Sequence, residues 1–194
     1  MQNSFFYASR YMAKWLFLAV LVGIGGGLAA VVLNSAIDFV TDLSAAIPVW
    51  LSPAVGAALI VIIYAYWDRQ AAGSGTNHYL YAVNIDNGDM RFRTLFSKIA
   101  ATAATLGFRG SGGVEGPMVV IGGSLAKGLS RIPFIGKLLD DDDFRLLAIG
   151  GAAGAVGAVF RSPLGGGIFV VEVLYRTSLH YHDLFPAVLS STMG

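Results

Sequence analysis

Three stretches of this sequence carry residue types that could act on an ion. The first is Gly73-Ser74-Gly75. Ser74 stands where a helix N-cap would stand, so its hydroxyl and the backbone N–H groups after it could face an anion. The second runs from Gly110 through Ser111, Gly112, Gly113, Val114 and Glu115 to Gly116 and Pro117. Its glycines permit unusual backbone angles, and Pro117 suits the first turn of a helix. Glu115 is an acidic residue set between apolar segments. An ionisable side chain inside a membrane segment costs roughly 2.5 to 3.5 kcal/mol on insertion scales. It marks either a functional position or a helix cap at the interface. The third stretch runs from Gly150 to Glu172. It reads as a small-residue helix, a break at Ser162-Pro163 and a second apolar helix.

The elements that must position these residues are apolar. The chain has 194 residues, of which 55% are hydrophobic and 13% charged. A soluble domain carries about 25% charge. The uncharged runs from Trp15 to Ile37 and from Leu43 to Trp67 each exceed the about 20 residues that cross a bilayer as a helix. Two full spans are therefore expected. Pro48 and Pro53 interrupt the second, so its helix should start near Pro53. The uncharged stretches after it, Ile99–Phe108, Gly116–Ala126, Leu146–Phe160 and Ser162–Val171, are each too short to span alone. They read as broken or re-entrant helices, which are tolerated where protein or a water-filled cavity covers the backbone. Such half-helices aim their N-terminal N–H groups at an anion near the midplane. Arg10 and Lys14 precede the first span, and Asp38 and Asp42 follow it. By the positive-inside tendency the N-terminus is cytoplasmic.

Several other functions lack support. The net charge is +1, and no basic stripe suggests nucleic acid. The chain has no cysteine, which excludes thiol chemistry and cysteine metal sites. Gly25, Gly27 and Ala30 fit a dinucleotide fingerprint, but the run before them is a long helix and not a strand. No catalytic motif and no cofactor are indicated. Asp140 to Asp143 reads as a solvated loop ending in a helix cap. His180, His182 and Asp183 could be offered as metal ligands and read instead as interfacial polar residues. Gly150 with Gly154, and Ala153 with Gly157, form a small-residue stripe suited to close helix packing. Leu184 to Gly194 reads as the opening of a further helix, which suggests a fragment of a longer protein.

Taken in order, the three stretches resemble the N-terminal half of the CLC chloride channel and transporter family. Gly73-Ser74-Gly75-Thr76-Asn77 is similar to the family's GSGIP, and Gly113-Val114-Glu115-Gly116-Pro117 to its GxEGP. The Gly/Ala-rich helix, the Pro-Leu break and the helix ending in glutamate match the stretch from Gly150 to Glu172. The resemblance implies an all-α integral membrane fold of broken, re-entrant and tilted helices. The chain would be the first of two inverted repeats, in a homodimer with one pore per subunit. It implies that Ser74, Gly75 and Gly116 bind chloride or another small anion and that Glu115 gates the path. A carboxylate is a tethered anion and can fill the site that chloride would take; protonation releases it. Three positions depart from the pattern. Asn77 replaces the motif's proline, and Val114 replaces its usual arginine. Val173 stands where proton-coupled members carry a second glutamate. An apolar residue cannot relay protons, so a passive channel is expected over a proton-coupled chloride or fluoride antiporter. A non-conducting membrane scaffold is the alternative of another class.

Overall fold

The computed structural model describes residues 2–175 and 181–194. Every regular element among them is helical. Helix α1 (Gln2–Ser44) contains the first expected span and is 43 residues long. At 1.5 Å per residue it extends about 65 Å, roughly twice a bilayer core, so it must tilt or project from the membrane. The second expected span is not a single helix. Helix α1 claims Leu43 and Ser44, and a turn carries Pro48. Helix α2 (Ser52–Ile62) then starts with Pro53 in its first turn and widens into a π-helical turn over Ile63–Trp67. The two prolines thus leave α2 shorter than a full crossing.

The chain re-enters after Asp68. Helix α3 (Gly75–Asn84) is short, and α4 (Phe92–Gly107) and α5 (Glu115–Ser130) have 16 residues each. A single turn, α6 (Pro133–Gly136), leads to α7 (Asp143–Phe160). Helix α8 (Pro163–Leu174) begins at the Ser162-Pro163 break, and α9 (Tyr181–Met193) follows. The expectation that Leu146–Phe160 is too short to span does not hold. Helix α7 starts three residues earlier, at Asp143, and at 18 residues is long and apolar enough to cross. Asp143 is buried and pairs with Lys14 of α1. Arg145 pairs with Asp183 of α9 at 2.9 Å. Neutralised charges can sit inside a helix that an uncharged-run count would end. The expectation of a solvated Asp140–Asp143 loop fails at Asp143 for the same reason.

Helix α7 is the centre of the bundle and packs on α1, α5, α8 and α9. Its small residues make this possible. A methyl built on Gly154 would meet Gly23 of α1 at 2.8 Å. The Gly151 and Gly122 backbones approach so closely that a side-chain carbon on either would overlap the other's carbonyl. Ser190 of α9 donates to the Gly150 carbonyl at 2.7 Å. Lys14, Asp143, Arg145 and Asp183 gather at one end of the bundle, the end where α1 starts. Helices α4 and α7 finish at the opposite end.

Candidate functional site

Helices α3 and α5 meet at their N-termini. A methyl on Gly75 would overlap the Gly116 carbonyl, and one on Gly116 would stand 3.3 Å from Gly75 N and 3.4 Å from Thr76 N. Glycine at both positions is what lets the two backbones touch. Each helix start leaves N–H groups without intrahelical acceptors and carries partial positive charge. Two such ends therefore converge on one place. Ser74 is the N-cap of α3 with extended backbone, yet its hydroxyl makes no capping bond. It is exposed on the wall of a cleft of about 350 Å³. Glu115, Gly75 and Gly116 line the same cleft. The structure thus brings together every residue that the sequence nominated as an anion or gating site.

The Glu115 side chain is exposed and folds back over Gly113. A side-chain carbon on Gly113 would overlap its Oε2. Glu115 also borders a second pocket of about 310 Å³, walled by Val156, Phe160, Ser162, Gly166 and Phe169. The residue thus borders both a more polar cleft and an apolar pocket, with its carboxylate over Gly113 on the cleft side. A charged carboxylate favours the first, and only the neutral acid can enter the second at low cost.

Lys98 was not nominated by the sequence. It is buried on α4, lines the cleft, and its Nζ donates to the Gly73 carbonyl at 2.9 Å. The same Nζ lies 5.6 Å from the Tyr64 ring centroid. The bond fixes Gly73, whose φ of +88° only glycine adopts freely. Lys98 thereby holds the loop that delivers Ser74 and adds a cation to the cleft wall. Its signal in the sequence was a polar stripe on α4: Thr94, Lys98, Thr102 and Thr105 recur at helical spacing.

The metal reading gains nothing from the described residues, among which no ligating cluster occurs. His182 bonds Tyr11 at 2.9 Å and Asp183 pairs with Arg145. His180 lies outside the described residues. Val173 is half-buried near the end of α8, beside the exposed Glu172.

Residues 56–194 match the family described as voltage gated chloride channel. A chloride/fluoride channel protein of Pseudomonas syringae pv. tomato is 28% identical over 95% of this chain and 40% of its own length. An H+/Cl− exchange transporter of Vibrio vulnificus is 32% identical over 84% of this chain and 38% of its own. An uncharacterised protein of Methanocaldococcus jannaschii is 29% identical over 93% and 43%. The chain spans about two fifths of the length of these curated relatives. Among solved structures, a CLC-type fluoride/proton antiporter superposes with TM-score 0.77 at 22% identity. It covers 94% of this chain and 45% of that one. A eukaryotic CLC transporter gives 0.73 at 21%, covering 94% and 37%. At these identities the likeness establishes the fold.

Proposed function

The chain belongs to the voltage-gated chloride channel (CLC) family, and from that premise we propose that it forms the N-terminal half of a chloride-conducting pathway gated by Glu115. The observation that carries this reading is the shared cleft of Ser74, Lys98 and Glu115. Two helix N-termini, a free serine hydroxyl and a buried cation form one wall suited to a small anion. Chloride would sit against Ser74 and the amides at Gly75 and Gly116. The Glu115 carboxylate competes for that place as a tethered anion. Protonation removes its charge and frees it to leave. A second half, supplied by the rest of a longer protein, would close the site, and two copies would form the homodimer.

We place the N-terminal end in the cytoplasm. The basic residues Lys14, Arg91, Arg93 and Lys127 lie towards that end, in the first third of α1 beside the start of α7, at the start of α4 and near the end of α5. Positive charge favours the cytoplasmic side.

Passive conduction is favoured over proton exchange because Val173 offers no titratable group at the end of α8. The relatives include an exchange transporter, so a proton-coupled chloride or fluoride antiporter is the second reading. The full-length protein in vesicles decides both points. Glu115→Gln is expected to raise chloride flux and flatten its pH dependence; unchanged flux refutes gating by Glu115. Proton uptake driven by a chloride gradient refutes the passive channel.

A further inference from the structure

Arg161 occupies an unusual place for an arginine. It caps α7 with φ +51° and ψ +38°, the left-handed conformation normally left to glycine or asparagine. Strain of this kind persists where the surrounding structure enforces it and gathers at functional sites. The side chain is exposed, and none of the ion pairs among the described residues includes it.

Its position relative to Glu115 follows from helix geometry. Helices α5 and α7 cross where Gly122 meets Gly151. Glu115 precedes Gly122 on α5, and Arg161 follows Gly151 on α7, both towards the same end of the bundle. At 1.5 Å per residue they lie about 10 and about 15 Å beyond the crossing. The chain neighbours of Arg161, Phe160 and Ser162, line the apolar pocket that Glu115 borders. Arg161 therefore sits at the same end of the bundle as Glu115, slightly farther out along the helix axes, next in the chain to two residues of the shared pocket. This is the end opposite the basic cluster, so the positive-inside tendency does not account for a cation there. Arg109 repeats the arrangement at the end of α4, with φ +63°. Asp38 and Asp42 of α1 lie near that helix end, where Gly107 packs on Val40 and Thr41.

We propose that Arg161 gathers small monovalent anions at the outer side of Glu115, as an entrance cation for the cleft. This rests on the reading that the cleft is an anion path. A unit charge about 8 Å away in water changes the local concentration of a monovalent ion about 2.4-fold. Screening weakens this effect as the Debye length falls to about 3 Å at 1 M salt.

The chain has no cysteine, so Ser162→Cys supplies one reporter thiol in the full-length protein once any cysteines elsewhere in it are replaced. Its modification is timed with an anionic and a cationic methanethiosulfonate of similar size. Arg161→Gln acts oppositely on the two reagents. Their rate ratio is expected to fall about sixfold at low ionic strength and much less at 1 M salt. Arg161→Lys should preserve the ratio, and Arg161→Gly, which relieves the backbone, should lose it. A ratio that Arg161→Gln leaves unchanged at low salt overturns the proposal, whatever the flux. Chloride flux supplies the second reading. At low chloride, flux should fall two- to threefold in Arg161→Gln and recover at saturating chloride. If the ratio shifts but the unsubstituted protein passes no anion, the assignment of the cleft as an anion path fails and the entrance cation is refuted with it.

Discussion

Replacing Lys98 by methionine removes one buried cation from the cleft while keeping a long apolar stem. A sphere of about 350 Å³ is about 9 Å across, which sets the order of the separation between Lys98 Nζ and an anion in the same cleft. At an effective dielectric of 20 the pair is worth about 1.8 kcal/mol, or about 20-fold in affinity. If water filled the cleft the same separation would give about 0.5 kcal/mol, or about twofold. Lys98→Met in the full-length protein should therefore weaken chloride binding between twofold and 20-fold. Titration calorimetry of the detergent-solubilised protein measures this directly. The substitution also removes the bond to the Gly73 carbonyl, which could loosen the loop before Ser74. Ser74→Ala provides the comparison, since it deletes a neutral hydroxyl and leaves the cation. Its loss should not depend on ionic strength, whereas the loss from Lys98→Met should shrink at high salt. A Lys98→Met protein with wild-type melting temperature and unchanged chloride affinity would refute the electrostatic role of Lys98.

Other substitutions test the packing around the site. Gly151→Ala forces a methyl onto the Gly122 carbonyl and should destabilise the protein by about 1–3 kcal/mol through overpacking. Gly25→Ala meets the mobile end of Leu125 instead and gains helix propensity, so its melting temperature should match or exceed wild type. Asp183→Asn strips the partner from Arg145, whose side chain is 26% exposed against 4% for Asp183. Breaking a fully buried pair costs about 3–5 kcal/mol, and the part exposure of Arg145 reduces this to about 1–3 kcal/mol. Thermal melts in detergent check all three.

What the sequence disclosed about the site was backbone chemistry. Ser74 and Glu115 stood out because glycine and proline mark where helices start, and because a carboxylate is conspicuous in an apolar run. Each signal is local, so each could be read without knowing what packs against it. The apolar content and the small-residue stripe of α7 likewise announced a close-packed membrane bundle. The convergence of Gly75 on Gly116 could not be read, because it joins positions from separate elements through a contact between backbones.

The residues that escaped notice are those whose meaning depends on a distant partner. Lys98 looked like the edge of the apolar run that begins at Ile99. Its charge is acceptable inside the bundle because the Gly73 carbonyl, 25 positions away, accepts a hydrogen bond from it and the Tyr64 ring lies beside it. Asp143 and Arg145 likewise looked like the outer limit of a short segment. Their partners, Lys14 and Asp183, lie 129 and 38 positions away. Counting uncharged residues assumes that every charge faces water. That assumption fails in this chain wherever the bundle supplies the counter-charge, and there it shortened helix α7. Arg161 differs from these residues. It has the charge and the cost of an unusual backbone, but no ion-pair partner among the described residues. A mobile anion would supply the missing counter-charge.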